Sequence, residues 1–275
     1  MTKRILVGLG GTPFTVVAVK RAVELAQAHD AHLTGVTIVD LDRLQKVGPV
    51  PLGGAAYAKR MAQQRIEVTR ERVEEAVAAF EVACAKGSVK YIVERETGNP
   101  FDLMISHARY HDLTIFGLKS LFDYGITAEP KDSLIRLVSQ GVRPILAVSP
   151  QFRTIRKALV AFSGSMESAK AMRRFVQMRL WPDVHIDIVN FSTDTAQGKD
   201  LLVAAAEYCR AHGYETETRM VDEDPDAGIL AHARQTDSDI IVMGNSVRSL
   251  MFRKILGSTA LATIQNADRP LFLAQ

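Results

Sequence analysis

Cysteine, aromatic residues and excess charge of one sign are all scarce in this 275-residue sequence. Its two cysteines, Cys84 and Cys209, fall in helical patterns, which argues against a disulfide framework and fits a reducing compartment. The 34 basic and 31 acidic residues leave a net charge of +3, too small an excess for a nucleic-acid-binding face. No apolar run approaches the roughly 20 residues of a membrane span, and no signal-peptide pattern follows the N-terminus. We therefore expect a cytoplasmic protein that binds neither nucleic acid nor a membrane.

The same motifs occur twice in the chain. A basic residue, an apolar run and a turn of small residues stand at 4–12 and again at 157–165. An aspartate followed by an apolar run that ends in glycine stands at 112–117 and again at 239–244. Each half closes with Arg-Pro and a last apolar run. Such a repeat indicates a duplicated structural unit.

The repeat divides the chain into two predicted domains, 1–150 and 151–275. The two copies of the first-strand motif are farther apart in sequence than the two copies of the fourth-strand motif. The first domain therefore carries an insertion, which we place near 40–65. Within the insertion, 46–54 is rich in glycine and proline and is predicted to be a loop.

Short apolar runs of β type alternate with longer helical patterns in each predicted domain. We predict strands at 4–9, 32–39, 89–96, 113–117 and 145–148, and again at 157–162, 184–191, 215–221, 239–244 and 271–274. Five buried strands joined by helices indicate a parallel sheet covered on both faces. The predicted fold class is therefore α/β, with two tandem doubly wound domains whose five strands follow the order 3-2-1-4-5. Ligands on such sheets bind beyond the carboxyl ends of the strands.

The segment after the fourth strand of the second domain has the features of an anion site. Gly244 closes the strand, a long loop that contains Arg248 follows, and Gly257, Ser258 and Thr259 open the last helix. Glycine allows the backbone to approach a phosphate closely, and a helix N-terminus offers unpaired N–H groups. A glycine turn and an ordinary Ser/Thr helix cap explain the same residues. The residues alone leave both interpretations open.

The repeat, the loop and the strand order together resemble the universal stress protein family in its tandem two-domain form. Residues 98–100 read Gly-Asn-Pro and match a Gly-x-Pro signature of that family, while Gly244, Gly257 and Ser258 match its loop after strand four. Family members that bind ATP hold adenosine near the ends of strands one and two and the phosphates on this loop. The resemblance thus implies ATP or another adenine nucleotide, with Mg²⁺ as an accompanying ion, in the second domain. Carried over onto this sequence, the implied binding residues are Phe162, Ser163, Gly164, Val189, Asn190, Gly244, Arg248, Gly257, Ser258 and Thr259.

The sequence departs from the family pattern at several positions. Val247 replaces a loop glycine, and Ser163 stands where the family often has an aspartate. Valine disfavours positive φ and crowds a phosphate. In the first domain the corresponding loop, 117–133, carries Asp123 and Glu129, which would repel phosphate, so we predict no nucleotide there.

The resemblance also implies a role and a mode of assembly. The implied role is regulatory or protective in a stress response. Family members pair the last strands of their domains, so the two halves are expected to pair within the chain, and a homodimer stays open. Two alternatives remain. One is an interaction module whose pockets are empty or hold a ligand other than a nucleotide, and the other is a weak ATPase or adenine-nucleotide hydrolase.

No catalytic or metal-binding arrangement stands out in the sequence. Ser-His-Asp, Cys-His and paired-carboxylate patterns are missing, so any ATP hydrolysis is expected to be slow. His107 and His111 have a spacing that can hold a metal, but no third ligand lies near them, and we predict no metal site. The acidic run at 222–226 is interpreted as a solvated turn with helix-cap character, with a divalent-metal role as its rival.

Overall fold

The chain folds around one long β-sheet flanked by helices. The fold was obtained as a computed structural model. It describes residues 2–46, 54–118, 144–192, 196–244 and 257–274, the backbone of 247–250 and 253–256, and isolated residues between 119 and 143. No helix within these ranges is both long and apolar enough to cross a membrane.

Strands and helices alternate in both halves of the chain. The first half contains β1 (Arg4–Gly8), α1 (Pro13–His29), β2 (His32–Val39), α2 (Leu41–Gln45), α3 (Ala55–Lys86), β3 (Tyr91–Thr97), α4 (Pro100–Ala108), β4 (Leu113–Gly117) and β5 (Ile145–Val148). The second half contains β6 (Lys157–Ala161), α5 (Met166–Met178), β7 (His185–Phe191), α6 (Ala196–Ala211), β8 (Thr216–Val221), α7 (Pro225–Gln235), β9 (Ile240–Gly244), β10 (Val247–Leu250), β11 (Arg253–Leu256), α8 (Ser258–Asn266) and β12 (Leu271–Ala274). All ten predicted strands are present, which confirms the predicted alternation.

Ten of the strands form a single sheet in the order β3-β2-β1-β4-β5-β12-β9-β6-β7-β8. Each half contributes five parallel strands in the order 3-2-1-4-5, as predicted. The halves meet where β5 and β12 pair antiparallel, with Leu146 opposite Phe272 at the centre of the pairing. We call this β5–β12 pairing the seam. The last strands of the two halves therefore pair within one chain, as the family resemblance implied.

Burial explains which strands lie inside the sheet and which lie at its edges. The central strands β4, β5 and β12 are buried along their whole length, as expected where helices cover both faces. The edge strands β3 and β8 are exposed at several positions and carry charged residues, among them Glu94 on β3 and Glu217 on β8. Charge on an edge strand discourages further pairing with other chains. The ten-stranded sheet therefore ends at both sides on strands that are poor templates for extension.

The duplicated helix starts show how the repeat acts locally. Asn99 accepts a hydrogen bond from the N–H of Phe101 at 2.9 Å, and Pro100 opens α4. Asp224 and Pro225 play the same parts at α7, where Asp224 accepts from the N–H of Asp226 at 2.9 Å. A short polar acceptor followed by proline is a strong helix start because proline needs no N–H partner there.

A buried arginine ties α1 of the first half to the second half. The guanidinium of Arg21 is 1% exposed and donates to both carboxylate oxygens of Glu24, at 2.8 and 2.7 Å. It also donates to the backbone carbonyl of Arg153 and lies over the rings of Phe152 and Trp181. The indole N–H of Trp181 in turn donates to Glu24 at 3.3 Å. The contact between the halves therefore extends beyond the strand pairing into a polar and aromatic cluster.

The insertion in the first half lengthens a helix. Its residues include α2 and the first turns of α3, which begins at Ala55. The predicted loop at 46–54 lies mostly in 47–53, outside the described residues. The apolar face of α3 covers the sheet through Val73, Val77 and Phe80, each less than a tenth exposed.

We predict that truncation at the seam destabilises the whole protein. Phe272 is fully buried and its ring meets that of Phe175 edge-on, with centroids 5.3 Å apart. Phe272→Ala is expected to lower the free energy of unfolding by about 3–5 kcal/mol, through lost burial and a cavity. Urea unfolding followed by circular dichroism measures this, and a single transition is expected because both halves share one sheet. Val203→Ala, which truncates a 53% exposed side chain, is the control and should change stability by less than about 0.5 kcal/mol. A loss below about 1 kcal/mol for Phe272→Ala would contradict a seam that supports both halves.

We predict that both cysteines are unreactive in the native protein. Cys84 on α3 and Cys209 on α6 are free and fully buried, and burial raises the pKa of each thiol to about 12. The thiolate is the reactive form, so almost none is present at neutral pH. An aromatic disulfide reagent at neutral pH should therefore release no chromophore from the folded protein and two equivalents in guanidinium chloride. Rapid release from the folded protein would show that one thiol is accessible.

Candidate functional site

The residues predicted to bind adenosine lie at the carboxyl ends of adjacent strands of the second half. Strand β6 lies between β7 and β9, with Ala161 registered against both Val189 and Met243. The chain therefore leaves β6, β7 and β9 at one edge of the sheet. The first predicted segment, 162–164, and Gly244 consequently lie at this common edge, which is where a doubly wound sheet binds ligands.

The turn after β6 presents hydroxyl groups at the start of α5. The N–H of Phe162 donates to the carbonyl of Val189 at 2.9 Å, which fixes the turn to β7, and the ring of Phe162 is buried. Gly164 has φ of +76°, a conformation that favours glycine. Ser163 is exposed, and its hydroxyl donates to that of Ser165, the N-cap of α5, at 3.0 Å. Ser163 is thus the predicted residue of this turn whose side chain is available to a ligand.

The two predicted residues on β7 are enclosed by the protein. Val189 is fully buried, and its carbonyl is taken by Phe162. Asn190 is 4% exposed and accepts a hydrogen bond from the hydroxyl of Ser192 at 2.5 Å. Neither residue presents an exposed side chain to a ligand.

Packing alone explains Gly244. A Cβ at this position would lie 2.4 Å from the carbonyl oxygen of Glu167 and 2.8 Å from the backbone nitrogen of Ser168. Any side chain here would force the first turn of α5 away from β9. The glycine that closes β9 is therefore required by helix–strand contact, whether or not an anion binds nearby.

The segment predicted as a long loop contains a β-hairpin. Strands β10 and β11 pair antiparallel, with Val247 opposite Leu256 and Arg248 opposite Ile255. Val247 thus lies in a strand, where β-branched residues are favoured, so its reluctance to adopt positive φ has no bearing there. Only the backbone of the hairpin is described, so the side chain of Arg248 lies outside the described part of the structure. Because Val247 near the end of β9 pairs with Leu256, the chain comes back to the end of β9 before α8 begins.

Helix α8 begins at the position that the sequence predicted. Gly257 occupies the N-cap with extended backbone, and no side chain among the described residues caps the helix. Ser258 is exposed, and the hydroxyl of Thr259 donates to a carboxylate oxygen of Asp226 on α7 at 2.5 Å. The N-terminus of α8 therefore combines backbone N–H groups that no described side chain caps, one exposed hydroxyl and one hydroxyl already bonded to a carboxylate.

The end of β1 in the first half differs from its counterpart in the second. Gly10 occupies the position that corresponds to Ser163, and a Cβ there would lie 3.0 Å from the backbone nitrogen of Phe122. Phe122 is 6% exposed, so it packs where the second half has an exposed serine. The predicted acidic residues Asp123 and Glu129 lie outside the described residues. A nucleotide-free first half stays a prediction.

The paired histidines of the first half form hydrogen bonds to the protein. Nε2 of His107 is hydrogen-bonded to Oε1 of Glu96 at 3.2 Å. Nδ1 of His111 is hydrogen-bonded to the carbonyl oxygen of His107 at 2.7 Å, and its Nε2 to the hydroxyl of Thr34 at 2.9 Å. Within the described residues no cluster of three or more His, Cys, Asp or Glu side chains is arranged to hold a metal.

Sequence reasoning missed a buried charged cluster on the second half. Asp187 on β7 is fully buried, with its carboxylate 3.5 Å from the guanidinium of Arg219 and 3.7 Å from Nε2 of His232. Neither carboxylate oxygen has a hydrogen-bond partner among the described residues. Arg219 and His232 also line a cavity of about 470 Å³ together with Glu223 and Gln235. The one available signal was an aspartate between two isoleucines of a buried strand, at the position that Thr34 holds in the first half.

Comparison with known proteins agrees with the topology. The family model described as "Universal stress protein family" matches residues 1–115 and 192–275. The chain is similar to the universal stress protein Slr1230 of Synechocystis sp., with 21% identity over 285 residues and 98% of each sequence covered.

Two solved structures share the fold over nearly the whole chain. A universal stress protein from Archaeoglobus fulgidus has a TM-score of 0.65 and 18% identity, with 99% of this chain and 96% of that one covered. The functionally unknown protein PA1789 from Pseudomonas aeruginosa has a TM-score of 0.59 and 14% identity, with 99% and 92% covered. Together with the family match, these similarities establish that the chain belongs to the universal stress protein family, in its tandem two-domain form.

Proposed function

We propose that the second half of this protein binds an adenine nucleotide, with ATP as the leading candidate, at the carboxyl ends of β6, β7 and β9. The proposed role is regulatory or protective in a stress response, in the cytoplasm. Binding, rather than turnover, is the proposed activity, and the first half serves as a structural partner without a nucleotide of its own.

The observation that carries this proposal is the open N-terminus of α8. In the described part of the chain no side chain caps the helix at Gly257, and Ser258 is exposed beside it. Unpaired backbone N–H groups and the positive end of the helix dipole together attract phosphate. The pairing of Val247 with Leu256 brings this helix start back to the edge where β9 ends. Phosphate groups bound at α8 would therefore lie at the ligand-binding edge of the sheet.

The turn after β6 supports an adenosine on the same edge. The hydroxyl of Ser163 is exposed, and the positive φ of Gly164 turns the chain sharply into α5. A hydroxyl can both donate to and accept from a ribose or a base. Adenosine at Ser163 and phosphates at Ser258 would span the ends of adjacent strands β6 and β9.

Charge near the phosphate position is mixed. The hairpin contains Arg248, Arg253 and Lys254, which attract phosphate and any Mg²⁺-bound nucleotide. Asp226 opposes them, because its carboxylate accepts the hydroxyl of Thr259 at the start of α8. If Mg²⁺ accompanies the nucleotide, the ion would neutralise part of the phosphate charge that Asp226 opposes.

A second candidate is an interaction module that holds no nucleotide. The close contact between Gly244 and the start of α5 favours this alternative, since it explains that glycine without a phosphate. A nucleotide titration separates the two candidates directly.

We expect ATP to bind to the wild-type protein and to bind much more weakly to Gly257→Asp. Aspartate is a favourable N-cap and fits the extended backbone at Gly257, so the variant should fold and melt at the same temperature or higher. Its carboxylate would occupy the helix N-terminus and weaken ATP binding by at least about tenfold, measured by isothermal titration calorimetry.

Asn99→Asp is the matched control. It adds the same charge at a helix N-cap of the first half, where Asn99 already accepts from a backbone N–H. ATP binding to this variant should equal that of the wild type. An absence of heat from the wild-type protein, or equal affinity in wild type and Gly257→Asp, would eliminate the nucleotide site as proposed.

A further inference from the structure

A hydrogen bond between two helices places a carboxylate beside the start of α8. The hydroxyl of Thr259, the second residue of α8, donates to Oδ1 of Asp226 at 2.5 Å. Asp226 lies in the first turn of α7, where its own N–H donates to Asp224. Both Asp226 and Thr259 are half-buried, so the bond is only partly exposed to solvent. The carboxylate is held in place by the packing of α7 against α8.

This carboxylate has an electrostatic effect on the helix start that it contacts. A helix N-terminus carries a partial positive charge that stabilises a nearby anion. Asp226 supplies such an anion from within the protein, next to the donors that a ligand phosphate would use. A phosphate that binds at Ser258 and Thr259 therefore meets an N-terminus that is already partly neutralised, and it also meets direct repulsion from the carboxylate.

We infer that Asp226 sets the charge preference of the second-half site, so that it disfavours metal-free triphosphates relative to adenine nucleotides of low charge. This inference rests on the proposed nucleotide site. Repulsion grows with the number of negative charges brought near the carboxylate, whereas contacts to adenosine at Ser163 do not depend on phosphate number. Mg²⁺ reduces the effect for ATP because it neutralises part of the triphosphate charge.

Any charge near the site acts more strongly on a nucleotide of higher charge, and solvent and salt weaken this effect for exposed side chains. The turn before α7 contains the exposed Asp222 and Glu223, and the hairpin contributes basic residues. The ratio between the dissociation constants of two ligands for the same protein is more informative than either constant. Asp226 should alter this ratio because it is hydrogen-bonded to the start of α8.

The experiment compares wild type, Asp226→Asn and Glu223→Gln by isothermal titration calorimetry. The ligands are ATP with EDTA, ATP with Mg²⁺, and 3′,5′-cyclic AMP, which carries one negative charge. Asparagine keeps the oxygen that accepts from Thr259, so the contact between α7 and α8 is preserved. Glu223→Gln removes the same charge three residues away, at a side chain that lies beside Gly228 instead of α8.

Asp226→Asn is expected to tighten metal-free ATP binding by about tenfold, while cyclic AMP binding changes by less than about twofold. The gain for ATP with Mg²⁺ should lie between these two. Glu223→Gln should leave the ratio of ATP to cyclic AMP affinity unchanged. Thermal melting of each variant checks that the fold is retained.

The outcomes separate this inference from the function on which it rests. If the nucleotides bind but the ratio is the same in wild type and Asp226→Asn, the inference is wrong and the nucleotide site stands. An equal shift in Glu223→Gln would also overturn it, because the effect would then belong to net charge. If no ligand binds to any of the three proteins, the proposed function fails and the inference fails with it.

Discussion

The antiparallel pairing of β5 with β12 is the constraint on which the rest of the structure depends. It joins two five-stranded sheets into one, and it buries two strands that would otherwise be edges. Because backbone donors and acceptors on both strands are then paired, neither half needs a separate device to protect that edge. The cluster of Arg21, Glu24 and Trp181 adds a second contact between the halves. A buried arginine of this kind tolerates little movement, since separation from its carboxylate would leave a charge without a partner.

With the scaffold held at its centre, the two halves differ at their ligand-binding edges. The end of β1 is closed by the backbone of Phe122 against Gly10, whereas the end of β6 exposes the side chain of Ser163. A similar divergence runs through the interior, because Thr34 on β2 is hydrogen-bonded to a histidine while its counterpart on β7 is the buried Asp187. The strand order is the same in both halves. The two halves therefore differ in the side chains at the carboxyl ends of their strands, while their strand order is the same.

The strands were predictable because buried parallel strands leave continuous apolar runs, and all ten begin and end within two residues of the predicted positions. The hairpin of β10 and β11 was not, because each strand has only four residues, Val-Arg-Ser-Leu and Arg-Lys-Ile-Leu, and neither shows a continuous apolar run or a strict alternation. The positions of Ser163 and Gly257 followed from the order of the motifs. The contacts of Asp226 with Thr259 and of Asp187 with His232 join residues far apart in sequence, and they depend on how helices pack. No local sequence pattern indicates that these residues lie close together in space.

The two halves that meet at the seam belong to one chain, and this has a consequence for how the protein can evolve. In an assembly of two identical chains, every substitution appears in both copies, so a change that benefits one site is imposed on the other. Here the facing strands, β5 and β12, are encoded separately, and Leu146 can vary independently of Phe272. One ligand edge can be filled by Phe122 without loss of the other. Duplication within one chain thus permits the two copies to diverge at the carboxyl edges of their strands while both keep the same strand order.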